Sequence, residues 1–416
     1  MRRIATVLAA VLVSIAVAPV SADAAQDGRL LAAFSWVSGD RQWVAHPTNP
    51  NGGFQVVGGT SSTVVAVQGR CFWDDDAKYR KGSSTLVGFD AGTGKERWRV
   101  EDVGTGSGIG VPTLGTLPPW VGSTPLSTLP ITSRDGTRLI GVSSRDGSRA
   151  WTVPLRGLRS VAGDRAAFVL STGPIGTSDS EPAPAVAQVE LLDARSGKAV
   201  WSTSVGNDSA IEGAALTGAS VALLVRTSGA SENRLVLLSR RSGKVLSDVA
   251  LSEYTAMARD VRAYGDTLGA AGGVLVVSTG RTTLAVDGRD GNALRHRDDY
   301  LQSGSRSASR KDGTPVVFLA HWVFGNDTHP DRSEAIDGRS GETLWTLPGG
   351  QYVISSSRDQ TLTMPGNLWH SFGTGSVVNS ATGAVRWTAE LSSDQSIVAT
   401  PRSLVVGGGC PTTLRD

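Results

Sequence analysis

The sequence predicts an all-β fold, an eight-bladed β-propeller of four-stranded antiparallel blades, with seven blades as the alternative count. Three observations carry this expectation. A short motif recurs along the 416 residues: an apolar run, often Asp or Asn, three residues, Gly, three residues and Trp. Its eight glycines, at positions 39, 94, 147, 197, 243, 291, 341 and 383, lie 42 to 55 residues apart, the range of propeller-type periods. The composition is rich in breakers, with 51 Gly and 18 Pro, and holds only 19% charged residues, against roughly 25% in an average domain. Such a chain disfavours a helical bundle, while 39% hydrophobic residues suffice for a large core.

The chain begins with a segment that reads as a secretory signal peptide, residues 1–25. Arg2 and Arg3 supply the positive start, and Ile4 to Val20 is apolar apart from Thr6, Ser14 and Pro19. Small residues crowd a cleavage site at Val20-Ser21-Ala22 or Ala22-Asp23-Ala24. A membrane anchor is the alternative, but the run is short of the ~20 residues a span needs. The first cysteine is Cys71, far from the cleavage point, which counts against a lipid-anchored form. No later run is long and apolar enough to span a bilayer. The expectation is a secreted or extracytoplasmic chain with no membrane span, residues 26–416 forming one propeller domain. Six Lys against 34 Arg suits a GC-rich bacterial genome.

The repeat is plainest as Asp90-Ala-Gly-Thr-Gly94 with Trp98. Further copies are Ser143 to Gly147 with Trp151, Asp193 to Gly197 with Trp201, Asp337 to Gly341 with Trp345, and Asn379 to Gly383 with Trp387. Two copies lack the Trp and carry Ser247 and Arg295 in its place. One more stands at the start, Phe34 to Gly39 with Trp43. Each apolar run, such as Leu86–Asp90 or Leu235–Ser239, alternates and is β-rich. The Asp or Asn then caps a tight turn with its side chain, and Gly accepts the positive φ such a turn demands. Each copy is therefore a β-hairpin, strands C and D of a blade. A second hairpin strand lies upstream, as in Val221–Arg226 and Val274–Thr279, and a weaker inner strand before it, as in Ala210–Leu216.

Strand-like Ile397–Thr400 and Leu404–Gly407 have no motif after them, and the first motif has no strands before it. The closing blade therefore takes strands A and B from the C-terminus and strands C and D from residues 30–46, which removes exposed sheet edges. The two cysteines follow strand B in neighbouring blades, since Val65 to Cys71 aligns with Leu404 to Cys410. In an exported chain this arrangement predicts a Cys71–Cys410 disulfide, two buried thiols being the alternative.

These motifs resemble the repeat of the pyrroloquinoline-quinone-type β-propellers, a WD40-like architecture covering quinoprotein dehydrogenases and BamB-like assembly factors. The resemblance extends over 29–416. It implies that Trp43, Trp98, Trp151, Trp201, Trp345 and Trp387 pack between neighbouring blades. Sialidase-type Asp boxes differ, placing Trp three residues after Gly.

The C–D turns are short in every repeat, whereas several B–C loops are long, at 71–84, 173–186, 321–333 and 365–375. Antiparallel alternation puts these loops on one rim with the D–A connections, and functional loops gather on one rim of a rigid scaffold. That rim holds the candidate ligand-binding residues Trp73, Tyr79, Trp322, Phe324, Trp369 and Phe372, with Trp120 near a D–A connection. Such aromatics suit peptides or glycans; the alternative is that they only pack the loops onto the disc.

Chemistry is harder to find. Asp74-Asp75-Asp76 lacks the alternation of a calcium loop. His321 and His329 are poorly spaced for zinc, and His46, His296 and His370 have no evident partners. There is no nucleophile elbow, P-loop or zinc-protease motif. No catalytic residue, metal or cofactor is expected. The resemblance leaves pyrroloquinoline quinone with calcium as an alternative, although the adjacent-cysteine element of those dehydrogenases is missing, the two cysteines being 339 positions apart. A net charge of +2 speaks against nucleic acid. The expected function is a monomeric binding or scaffold module for a protein, peptide or polysaccharide; an extracytoplasmic enzyme is the alternative.

Overall fold

The structure is a computed structural model. It describes residues 30–48, 52–70, 84–103, 128–133, 137–154, 158–163, 166–172, 187–206, 209–227, 233–254, 267–271, 273–279, 282–298, 300–309, 314–321, 332–348, 351–356, 360–365, 373–391 and 395–408. Eight antiparallel sheets follow one another as blades 1 to 8. Blades 1 to 7 occupy 52–103, 128–154, 158–204, 209–250, 267–298, 300–348 and 351–391. Each has four strands in sequence order, except blade 2, which shows three among the described residues. Blade 8 joins the chain ends as expected: Ser396–Ala399 and Ser403–Gly407 pair with Leu31–Ser35 and Arg41–Ala45. The one described helix is a single turn, Leu251–Tyr254. No helix among the described residues is long and apolar enough to cross a membrane.

The middle strands of each blade are buried on both faces, and period-two alternation decides which neighbour each side chain meets. In blade 1, Val65, Val67 and Leu86 pack with Leu129, Leu139 and Val142 of blade 2. The intervening Val64, Ala66 and Val87 pack with Leu31, Ala33 and Val405 of blade 8. This is why Val64–Val67 reads as a continuous apolar run. Ring closure adds specific bonds between blades 1 and 8: Val56 N donates to Ser396 Oγ at 2.8 Å and Phe54 N to Gly408 O at 3.3 Å.

The C–D turn is built as its composition demands. In blade 1 the Asp90 carbonyl accepts from Gly94 N at 2.8 Å, and Asp90 Oδ1 accepts from Gly92 N at 3.0 Å and Thr93 N at 2.8 Å. All eight turn glycines have φ between +66° and +82°, where a Cβ is strained. In every blade the C–D register shifts at the residue before the Trp position, so that Gly88 faces Trp98 while Phe89 faces Glu96. This bulge re-aims the following side chain and turns the indole towards the next blade.

There it meets the next turn. Trp43 Nε1 donates to Ala91 O at 2.9 Å, Trp98 to Ser144 O at 3.2 Å, Trp151 to Ala194 O at 3.0 Å and Trp201 to Arg240 O at 2.9 Å. Trp345 donates to Ser380 O and Trp387 to Trp36 O, both at 2.9 Å. The ring also lies flat on the turn glycine. A Cβ built on Gly94 would stand 2.6 Å from Trp43, and one on Gly147 would stand 2.7 Å from Trp98.

Two seams lack the Trp and are closed differently. Between blades 5 and 6, Arg295 Nε donates to Ser340 O at 2.9 Å, and its stem covers Gly341. Between blades 4 and 5, Ser247 covers Gly291, and Tyr254 from the one-turn helix donates its hydroxyl to Gly291 O at 2.8 Å.

These contacts set the cost of breaking a seam. Trp98→Ala should lower unfolding stability by about 3–5 kcal/mol. Gly147→Ala, which changes one methyl against the same ring, should cost about 1–3 kcal/mol, and Tyr254→Phe about 1 kcal/mol. Denaturant midpoints measure all three, and an unchanged midpoint for Gly147→Ala would show that the indole does not seat on the turn.

The turn carboxylates predict a pH dependence. Asp90 is lowered to about 2, first by Arg97 and then by Thr93, and Asp146 to about 2, chiefly by Ser148. A folded-state value below the ordinary 3.8 stabilises the fold above about pH 4 and loses that contribution as pH falls towards 2. The Asp90→Asn/Asp146→Asn double variant should therefore melt lower than wild type at pH 7, with the gap closing between pH 4 and 2. A gap independent of pH would mean that charge is not what these turns use.

Candidate functional site

The turns and loops divide between two rims, and backbone hydrogen bonds assign them. Ala91 N donates to Ser62 O at 3.0 Å, Ala194 N to Ala166 O at 2.9 Å, Arg240 N to Ala219 O at 3.0 Å and Gly338 N to Pro315 O at 2.8 Å. Each bond ties a C–D turn to an A–B turn of its own blade, so these two sets share one rim. The B–C loops and D–A connections emerge on the other. Three A–B turns carry a shared element that sequence reasoning missed, Thr-x-x-Ser or Thr-x-x-Thr at Thr60, Thr217 and Thr400. In each the threonine Oγ1 accepts from the amide three residues on, at 3.0, 3.0 and 2.9 Å. The spacing of that pair was the available signal.

The aromatic candidates Trp73, Tyr79, Trp120, Trp322, Phe324, Trp369 and Phe372 all lie outside the described residues. So do Cys71, Cys410, the acidic run 74–76, His329 and His370. The described strands define the roots from which the long loops leave. In blade 6 strand B ends at His321 and strand C begins at Arg332; in blade 7 the corresponding strands end at Pro365 and begin at Gly373. The loops bearing Trp322 and Phe324 and those bearing Trp369 and Phe372 thus rise from adjacent blades.

A partly buried polar web joins those roots. Gln351, first residue of blade 7, donates its amide to Ser333 Oγ of blade 6 at 2.9 Å, and Ser333 Oγ donates back to the Gln351 carbonyl. Gln351 Oε1 accepts from Thr363 Oγ1 at 2.5 Å, and Thr363 Oγ1 lies 3.2 Å from Ser376 O. Ser333, Glu334 and Thr363 are buried, and Thr343 Oγ1 reaches Glu334 Oε2 at 3.4 Å. Hydrogen bonds shielded from water hold geometry more firmly than exposed ones. Elsewhere the rim ends of C–D pairs are pinned by Thr85 to Glu101 at 2.7 Å, by Arg234 with Asp248 and by Thr374 with Glu390.

Beside the cysteines, the inner strand Gly52–Gly59 is flanked by both relevant chain segments. Gly52 pairs with Arg70, the residue before Cys71, and Phe54 N reaches Gly408 O, two residues before Cys410.

The described inner strands offer a poor donor set for a calcium–quinone group. Glu212 is their one acidic residue, and it is already paired with Arg226 at 2.9 Å. Hard cations need several clustered oxygens, and among the described residues no three His, Cys, Asp or Glu side chains gather as ligands. His46 and His296 are exposed. The described strands do not fit that group, and no reaction step is derived through it.

Residues 185–410, more than half of the chain, match the family model described as outer membrane protein assembly factor BamB. No curated protein matches the chain. Among solved structures, BamB from Moraxella catarrhalis is 14% identical, with 85% of this chain and 95% of that chain covered and a TM-score of 0.47. A europium-containing methanol dehydrogenase is 10% identical, with 89% and 82% covered and a TM-score of 0.49. The quinohemoprotein alcohol dehydrogenase from Comamonas testosteroni is 11% identical, with 93% and 78% covered and a TM-score of 0.43.

Proposed function

Because the chain belongs to the family of BamB-like propellers, we propose that it is an exported scaffold that binds a protein, peptide or glycan at the cell envelope through its long-loop rim. The observation that carries this reading is the partly buried web Ser333–Gln351–Thr363–Ser376, which ties the strand ends flanking two aromatic loops in adjacent blades. Firmly held strand ends flanking the loops that carry Trp322, Phe324, Trp369 and Phe372 lower the entropy lost when a ligand is bound. Aromatic side chains supply large contact area with few rotatable bonds. Export rests on the leader at 1–25, and the single propeller domain on residues 26–416. The family's description as an assembly factor supports a protein partner first.

The test is affinity capture from isolated cell envelope with cross-linking, using wild type and the Trp322→Ala/Trp369→Ala variant at matched melting temperature. A partner recovered with wild type should fall at least about ten-fold with the variant. Equal recovery of every partner would sink the rim as the binding face.

A Cys71–Cys410 disulfide belongs to the same proposal. The backbone bond from Phe54 to Gly408, beside the Gly52–Arg70 pair, supports it. In the chain-entropy model a staple across so long a loop stabilises by about 3–5 kcal/mol. Alkylation under denaturing conditions should label neither cysteine without reductant and both with it; labelling of both without reductant would remove the bond.

A further inference from the structure

The rim opposite the long loops carries an arc of arginines that the fold itself does not use. At the third residue of the C–D turn stand Arg145, Arg195, Arg241, Arg289 and Arg339 in blades 2, 3, 4, 5 and 6. All five are exposed. None of their guanidiniums makes a hydrogen bond or an ion pair among the described residues, in contrast to Arg97, Arg226 and Arg234. The turn does not require them, since blades 7, 8 and 1 hold Ala381, Val37 and Gly92 at the same position with the same turn hydrogen bonds.

Arg145 and Arg195 attract Asp146 and Asp193 through space, without a hydrogen bond or ion pair between them among the described residues. Asp287 and Asp337 each turn Oδ1 inward to the backbone amide of the arginine itself, both at 2.8 Å. Asp193 accepts from Ser196 N at 2.8 Å, Asp146 from Ser148 and Asp290 from Asn292. The carboxylates are thus committed within their own turns while the guanidinium forks point to solvent. Each fork can engage two oxygens of a phosphate or carboxylate at once.

We propose that this arc binds a linear polyanion other than nucleic acid, which the near-neutral charge of the chain disfavours, namely a polymer with a phosphate or carboxylate in each repeat. The five cations sit on one backbone position repeated blade by blade, so a chain of regularly spaced anions can follow them. A flat anionic bilayer suits the rim less well. It would also rest on blades 7, 8 and 1, which present no cation there, and the five turns contain no aromatic or long aliphatic residue to enter headgroups. This inference concerns the face opposite the proposed partner-binding rim and does not depend on it.

The test uses the mature full-length chain and three probes: long-chain inorganic polyphosphate, polygalacturonate, and vesicles of phosphatidylglycerol. Two double variants remove the same charge, Arg241→Gln/Arg289→Gln on the arc and Arg226→Gln/Arg234→Gln near the opposite rim. The arc pair should weaken binding of at least one polymer by ten-fold or more and flatten the slope of log affinity against log salt, because fewer counterions are released. The opposite pair should change affinity less than two-fold. Preference for polyphosphate or polygalacturonate identifies phosphate or carboxylate as the ligand group. Equal losses from both pairs, binding to vesicles alone, or no binding of either polymer at low salt would overturn the proposal.

Discussion

The ring depends on one contact repeated around it: a tryptophan of one blade laid on the turn glycine of the next, its indole N–H on the adjoining carbonyl. Both halves are needed. The hydrogen bond satisfies a donor that would otherwise be buried without a partner, and the missing Cβ lets the ring come close enough to reach. The glycine is also the residue that the turn requires for its positive φ, so a single position answers two demands at once. The bulge before each tryptophan supplies the third condition, since regular alternation would send the side chain elsewhere.

The two seams that lack tryptophan show that the constraint is the contact and not the residue. Arg295 reproduces both halves, with methylenes over Gly341 and a guanidinium nitrogen on Ser340 O. At the other seam the halves are divided: Ser247 covers Gly291 and Tyr254 provides the hydroxyl. Burial raises the Tyr254 phenol above its ordinary range, so it remains a protonated donor. A seam made from two residues needs the one-turn helix Leu251–Tyr254 to bring the second into place, which accounts for a helix at this seam of the otherwise β-built blades.

What was legible in the sequence follows from the range of each interaction. The turn is a local code, Asp through Gly to Trp, written within nine residues, and so the blades and the split closure could be read directly. The Thr60, Thr217 and Thr400 turns were equally local but used residues too common to stand out alone. The bulges were not legible, because they exist only in the pairing of two strands. Tyr254 as a partner for Gly291 was also hidden, since 37 positions separate them. At the candidate site, the aromatic loops were visible in composition, whereas the Ser333–Gln351–Thr363 web beneath them joins ordinary polar residues from two blades and has no pattern of its own.

The two rims therefore differ in kind, for a physical reason that begins at the seams. On the turn rim, the described C–D turns are short and each is held by a side chain of the preceding blade, an indole at six seams, and variation falls on side chains that leave the turn outward. Charge is the property such positions can change without disturbing the ring, and it is there that the exposed arginines lie, without a hydrogen bond or ion pair among the described residues. On the opposite rim the B–C connections differ in length along the sequence and carry aromatic residues, and the blade 6–7 seam is joined at the loop roots by Ser333 and Gln351. The proposed polyanion arc rests on repetition of one turn position and the proposed partner rim on irregular loops, and the blade sheets lie between the two.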